Sequence, residues 1–411
     1  MDIKLSPSKL KGMITVQPSK SDAHRKLICA AFANGISTID NIFLSEDIKA
    51  TLRCISSAGA SYDICSSRSY AGRDCIIVSG TNGQCKESRK ADCGESGSTL
   101  RFMSMVFPIA GGKTELTGHG RLPIRSMDGA IDLFKRNNIS HTYPGDGKFL
   151  PLVINGEINS GEHEIDSSVT SQYLSGLLMG MPAFSKHGKI VATGQFESKG
   201  YVDVTIGVLR EFGVNIEGAN PYIIPVNGGF DAIKTNVEGD WSNASYFHVM
   251  KALGAELEIN GLKNDSKQPD AVILKNINII TDTDNPVIDV SECPDIMPSL
   301  SVIGASMNKT MKITGGRRLR AKESDRIASV AAGLTGLGVD TVEFNDGIEI
   351  YGNGFIRGGE IDACNDHRIA MAFASLCVVS EGDIIIKGAD SVSKSYPLFF
   401  DDLKKLGGII T

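Results

Sequence analysis

Lysine, arginine, serine and glycine recur together along this chain in spacings that suit the binding of anions. Lys20, Ser21 and Arg25 share one short phrase, and Arg25 stands a helical turn past Ser21, so both can face one point. The phrase Glu95-Ser96-Gly97-Ser98-Thr99-Leu100-Arg101 carries a glycine at which a ligand can approach the backbone closely. Arg121 and Arg125 follow, and Ser171 and Gln172 add neutral donors. Further on come Lys322, Glu323 and Arg326, then Asp366, His367 and Arg368, and finally Lys394. Arginine pairs bidentately with phosphate and carboxylate, and lysine adds a compact charge, so the set suits a polyanionic ligand pair. A lone arginine is more often a solvated surface residue. What sets these apart is their company of Gly and Ser at the starts of apolar runs.

Those runs are the elements that must position them. A polar turn leads directly into an apolar helix at 19–33, 95–107, 167–181, 240–253, 292–304 and 365–379. Each is apolar nearly all round and is expected to be buried. Capping residues at each start leave backbone N–H groups and a partial positive charge at the helix end, an anion-attracting arrangement. A second phrase alternates out of step with the first: an amphipathic helix closing on a turn residue, at 50–59, 130–138, 205–213, 245–254, 327–338 and 398–407. Strands with alternating polarity follow several of these, at 214–217, 255–259 and 339–344. Six copies of a helix–strand unit predict an array of α+β modules rather than one doubly wound sheet.

Composition excludes several classes. With 411 residues and 41% hydrophobic content the chain is too long for one ordinary domain, which predicts two. No run of roughly 18 apolar residues marks a membrane span, and the N-terminus lacks a secretory h-region. The nine cysteines show no CxxC pair or zinc spacing and read as reduced thiols of a cytoplasmic protein. A net charge of −6 argues against nucleic acid as a partner, although a local basic cluster can still draw small anions. GxGxxG after a strand, GxxxxGK[ST], HExxH and GxSxG are all absent, so no nucleotide cofactor or metal is expected.

The phrases PSKSDAHR (18–25), CGESGSTLRF (93–102), SSVTSQYLSGLL (167–178), AKESDR (321–326), NDHRIAMAFA (365–374) and SKSYPLFFDDL (393–403) occur in order from one end of the chain to the other. Together they resemble the 5-enolpyruvylshikimate-3-phosphate synthase family. The resemblance implies an α/β fold of two domains, an inside-out barrel of six βαβαββ repeats, three per domain. It places residues 1–18 with 237–411 in one domain and 19–236 in the other, with the active site in the cleft between them. It further implies a monomer, acting on phosphoenolpyruvate and shikimate 3-phosphate without a cofactor.

By motif position, Lys20, Ser21, Arg25, Thr170, Ser171, Gln172 and Ser198 resemble the family's contacts to shikimate 3-phosphate, joined by Asp295 and Lys322. Lys20, Gly97, Arg121, Gln172, Arg326, Arg368 and Lys394 resemble its contacts to phosphoenolpyruvate. Asp295 resembles the aspartate beside the attacking hydroxyl, and Lys322 and Glu323 flank the transferring carbon, with Lys20 near it. The chain departs from the family's commoner residues at Glu95-Ser96, at Phe102 and at Arg318. Gly97 is retained, which implies sensitivity to glyphosate. Two other readings compete with this one. A related transferase acting on UDP-N-acetylglucosamine uses a cysteine-bearing loop, but neither Cys85 nor Cys93 sits in a matching phrase. A non-catalytic anion-binding relative is disfavoured by the joint presence of Lys20, Arg25, Asp295, Lys322, Glu323, Arg368 and Lys394.

Overall fold

The computed structural model describes residues 1–69, 72–145, 149–168, 170–194 and 199–411. Among them, twelve α-helices follow one another in six pairs. They are α1 (Lys20–Phe32), α2 (Glu46–Ala58), α3 (Gly97–Ala110), α4 (Asp128–Arg136), α5 (Gln172–Ala183) and α6 (Lys199–Glu211), followed by α7 (Trp241–Ala252), α8 (Ile273–Asp282), α9 (Met297–Ala305), α10 (Arg326–Gly336), α11 (His367–Ala374) and α12 (Phe399–Lys405).

The odd-numbered helices are buried on nearly every face, and the even-numbered ones bury a stripe. In α2, Ile48, Leu52 and Ile55 turn inward while Glu46, Lys49 and Arg53 face solvent. The residues of the buried helices that keep some exposure lie mainly in the first turns: Lys20 and Ser21, Ser98 and Arg101, Gln172, Ser242, and Arg368. Polar side chains survive there because the helix end, unlike its middle, opens out of the core.

Two expectations are corrected. Residues 245–254, read as an amphipathic helix, are the end of buried α7, and the amphipathic partner in that module is α8. Gly254, left-handed at φ 108°, mimics the stop that ends the amphipathic helices, whereas α8 ends on Thr283 in extended backbone and shows no glycine signal. Residues 214–217 form no strand, only an isolated bridge from Glu217 to Ile223, although Val214 and Ile216 are buried as their pattern required.

Among the described residues six small sheets accompany the helices, and their strands close no hydrogen-bonded barrel. Three four-stranded sheets repeat one plan, a parallel pair extended by two antiparallel strands. They are Ser88–Asp92, Lys113–Thr117, Leu152–Asn155 and Ser140–Thr142; Val287–Asp289, Thr310–Thr314, Gly347–Tyr351 and Asp340–Phe344; and Lys234–Asn236, Ile36–Ile42, Asp74–Ser79 and Ser61–Ser66. A fourth, Gly161–Asp166, Gly188–Thr193 and Tyr222–Ile224, has the Glu217 bridge where the last strand would lie. In the fifth, the parallel strands Gly359–Asp362 and Ile384–Lys387 are extended by the N-terminal strand Ile3–Ser6 and by Ile409–Ile410.

The remaining pairings divide the chain. Strand Lys11–Thr15 runs into α1 yet pairs with Glu256–Asn260, which follows α7. Strand Lys234–Asn236 runs into α7 yet pairs with Ile36–Ile42, which follows α1. Each of these two helices thus leaves its preceding strand behind. The result is two compact units, Met1–Gln17 with Gly239–Thr411 and Pro18–Glu238. Each has its own hydrophobic core.

Within the second unit α3 and α5 pack closely because glycines face the contact. A Cβ on Gly180 would meet Ile109 Cδ1 at 2.5 Å and Val106 Cα at 3.2 Å. Gly180→Val is therefore expected to destabilise the chain by about 1–3 kcal/mol through overpacking, read as a lower urea midpoint with an unchanged m-value.

Candidate active site

The turns that deliver the chain to the buried helices share a device that sequence reading missed. Asp92, Asp166, Asp289 and Asp362 each end the first strand of a parallel pair. Each carboxylate accepts the N–H two residues on, from Gly94 (2.9 Å), Ser168 (2.8 Å), Ser291 (2.8 Å) and Cys364 (2.7 Å). An Asp at i bonding the backbone at i+2 makes a tight turn, which aims the next residues at the helix start. Side-chain caps from Ser19, Ser96, Asp240 and Asp366 then begin α1, α3, α7 and α11. α5 and α9 start without a side-chain cap bond, contrary to the expectation for all six. The AKESDR phrase opens α10, one of the amphipathic set, with Asp325 as its cap.

In the unit formed by Met1–Gln17 and Gly239–Thr411, the expected residues converge on Arg326. Arg326 is 1% exposed, and its guanidinium donates from Nε to Asp366 (2.7 Å), from Nη1 to Asp295 (2.7 Å) and from Nη2 to Glu323 (2.5 Å). These carboxylates raise it further above the ordinary guanidinium value, against the pull of burial. Asp295 also pairs with Lys322 (3.2 Å) and Arg368 (3.1 Å). Burial alone would raise the Asp295 carboxyl, but Arg368, Lys322 and Arg326 outweigh it and hold it well below the usual carboxylate range. Burial lowers the Lys322 ammonium, with Asp295 opposing. Arg368 also donates to Ser242 Oγ (2.5 Å), and Lys394 Nζ to the Asn365 carbonyl (2.8 Å). Ser324 Oγ donates to Asp366 (3.1 Å). One unit therefore gathers Asp295, Lys322, Glu323, Arg326 and Arg368, with Lys394 bound to the turn before α11.

The unit Pro18–Glu238 gathers donors. Lys20 pairs with Asp47 at the start of α2 (2.8 Å). Arg25 is buried, lies 5.0 Å from the centroid of the Phe102 ring, and donates to Thr205 Oγ1 (2.7 Å) and to the carbonyls of Ser21 (2.6 Å) and Tyr201 (3.0 Å). Burial among these neutral acceptors brings its guanidinium down to about 10. Gln172 bridges two helix starts, accepting from Arg101 (2.9 Å) and donating to Ser98 Oγ (2.8 Å). Its backbone N–H bonds Thr170 Oγ1 (3.2 Å), while Ser171 is buried at the head of α5. A Cβ on Gly97 would lie 2.6 Å from Arg125 Nη1, so the glycine admits that arginine to the α3 terminus. Arg121 is exposed, in the turn before Arg125. Ser198 lies outside the described residues. Asp47, Tyr201, Thr205 and Ser242 were not singled out from the sequence. Only Asp47, an acid in a helix's first turn, carried a local signal.

Cys93 is buried with its thiol 3.9 Å from that of Cys54, a contact that together with burial raises it well above the usual thiol value. Burial likewise raises Cys85, which accepts from Arg89 (3.0 Å). Neither is poised to ionise, as a catalytic cysteine must be. Among the described residues no helix is long and apolar enough to cross a membrane.

Two α/β units of common plan, with arginines, lysines and carboxylates gathered at the ends of core helices, define a protein that handles small polyanions. The family model for EPSP synthase (3-phosphoshikimate 1-carboxyvinyltransferase) matches residues 5–403. The chain is 39% identical to the 3-phosphoshikimate 1-carboxyvinyltransferase of Clostridium novyi, covering 100% of this chain and 98% of the relative. It is 38% identical to the enzyme of that name from Clostridium acetobutylicum, over 99% of this chain and 97% of the relative. The fold matches that of a solved EPSP synthase from Acinetobacter baumannii with a TM-score of 0.80 at 23% identity, covering 100% of this chain and 99% of that one. The chain belongs to the EPSP synthase family, whose fold is the two-domain inside-out α/β barrel.

Two outcomes follow from the geometry. Arg326→Ala leaves the buried Asp366 carboxylate without its cation and takes one partner from Asp295 and Glu323, and is expected to cost about 3–5 kcal/mol in chemical denaturation at neutral pH. Asp295, depressed in the folded state, contributes stability that is fully present above its unfolded value of about 3.9. That contribution is lost as pH falls through the folded value. In Asp295→Asn, the unfolding free energy should therefore fall less steeply with acidification below about pH 4 than in the parent chain.

Proposed function

We propose that this chain transfers the enolpyruvyl group of phosphoenolpyruvate to the 5-hydroxyl of shikimate 3-phosphate. The observation that carries the reading is the Asp295 carboxylate gripped by Lys322, Arg326 and Arg368, in a chain matched along its length by 3-phosphoshikimate 1-carboxyvinyltransferases. The hydroxyl oxygen bonds to C2 of phosphoenolpyruvate while C3 takes up a proton, giving a tetrahedral intermediate. Loss of phosphate from C2 and of a proton from C3 then restores the double bond.

The roles are assigned by residue. Asp295 takes the hydroxyl proton, and Lys322 with Glu323 exchanges the proton at C3. A carboxylate held by three cations is a weak base, so the ligand has a part in activating it. When phosphate and carboxylate groups of the substrates draw Arg368 and Lys322 toward themselves, Asp295 loses its partners and its proton affinity rises. Lys20, Gly97, Arg121, Gln172, Arg326, Arg368 and Lys394 bind phosphoenolpyruvate. Lys20, Ser21, Arg25, Thr170, Ser171, Gln172, Ser198, Asp295 and Lys322 bind shikimate 3-phosphate. Arg326 has most of its donors committed to Asp366, Asp295 and Glu323, which also makes it the anchor for those carboxylates. Fixed cations beside the leaving phosphate stabilise charge as it develops, an effect worth about 10²–10³-fold per donor in comparable sites. The reading requires both units to serve one ligand pair. It includes a cytoplasmic monomer, no cofactor, and inhibition by glyphosate in competition with phosphoenolpyruvate.

Phosphate release should require both substrates, and release with UDP-N-acetylglucosamine as acceptor, or binding of both substrates without turnover, would overturn the reading. Asp295→Asn is expected to lower kcat by about 10²–10⁴-fold, the usual worth of a general base, while affinity for shikimate 3-phosphate by calorimetry stays within a few-fold. Equal loss of both would remove the assigned role.

A further inference from the structure

A buried hydrogen-bonded chain in the unit Pro18–Glu238 joins the starts of three helices and belongs to none of the roles above. His24 Nδ1 lies 2.7 Å from Thr51 Oγ1, which lies 2.8 Å from Thr99 Oγ1. The Thr99 hydroxyl donates to Ser96 Oγ (2.8 Å), and Ser96 Oγ also accepts the Thr99 N–H (3.2 Å) as the cap of α3. All four side chains are buried, at 1% exposure or less.

The direction of this chain follows from counting protons. A hydroxyl has one hydrogen, and the geometry at Thr99 directs it to Ser96 Oγ (2.8 Å), in preference to the Asp47 carbonyl (3.5 Å) or Thr51 Oγ1 (2.8 Å). With the Thr99 hydrogen on Ser96, Thr51 donates to Thr99 and accepts from His24. His24 is therefore the Nδ1–H tautomer, with Nε2 bearing the lone pair. Among the described residues nothing hydrogen-bonds that Nε2. Burial, helped by the charges of Lys20 and Arg25, holds the imidazole well below its usual value and keeps it neutral.

The ends of the chain decide what it does. His24 is one turn past Lys20 on α1, Thr51 is one turn past Asp47 on α2, and Ser96 precedes Gly97 on α3. Lys20 and Asp47 close the ring with their ion pair. We propose that His24 is a positioning residue that fixes Lys20 and the Gly97 terminus in one rigid frame by donating through Thr51 and Thr99 to the α3 cap. This rests on the assignment of Lys20 and Gly97 to phosphoenolpyruvate. The frame touches no reacting atom, so its loss should appear in substrate affinity rather than in the chemical step.

Thr51→Val removes one hydroxyl without changing volume, and Thr99→Val breaks the next link. Each is expected to raise KM for phosphoenolpyruvate about 3- to 10-fold, the usual worth of one buried hydrogen bond, with kcat within about twofold. Thr51→Ser restores the hydroxyl and should restore KM. Nitrogen-15 NMR of histidine-labelled protein should report a protonated Nδ1 and an unprotonated Nε2 for His24, identified by its loss in His24→Asn. An Nε2–H tautomer would overturn the chain's direction. Unchanged KM in both valine variants, or a matched fall in kcat and thermal midpoint, would reduce the chain to a structural role and overturn the proposal. Should the parent chain release no phosphate with both substrates, the functional reading falls and the proposal with it, while the tautomer still settles the chain's direction.

Discussion

An arginine that keeps 1% of its surface exposed must meet its countercharge inside the protein, and the unit holding Arg326 is arranged to supply it. The carboxylates come from separate places: Asp295 from the turn before α9, Glu323 from the turn before α10 and Asp366 from the cap of α11. Burial of a charge is tolerated only with such pairing, and removing one member is far more costly than never having had the group. The ion cluster thereby ties three helix starts together. It also places Asp295 among Lys322, Arg326 and Arg368, which secure its charge.

In the unit Pro18–Glu238, Arg25 meets the same problem with neutral groups. Arg25 is as deeply buried as most of the core, and its donors go to a hydroxyl and two carbonyls, with its face over Phe102. The His24 chain is a neutral network, while Gln172 accepts from the Arg101 guanidinium. The two units share a strand plan but satisfy their most deeply buried arginines differently, Arg326 with carboxylates and Arg25 with neutral acceptors.

Local pattern made much of this legible. All six buried helices were anticipated, because an apolar run with polar residues confined to its first turn has no other stable placement. Five of the six amphipathic helices were anticipated for the same reason of period. The sixth, α8, was hidden because its end lacks a glycine while the nearby Gly254 supplied a false stop. The segment 214–217 had the alternation of a strand and the burial, but no neighbour in register beyond Glu217.

By itself, then, the sequence determined which residues are polar at helix starts, which helices lie in the core, and the ordered motifs that carry the family. Each of these is written within some twenty neighbouring residues. Only the tertiary structure decided that Lys11–Thr15 pairs beyond α7 and Lys234–Asn236 back beyond α1. It alone showed Arg326 turned onto carboxylates from three turns, and Lys20 with His24 tied to helices two and three. Those choices are made by hydrogen bonds and charges between residues far apart in sequence, where periodicity has nothing to say.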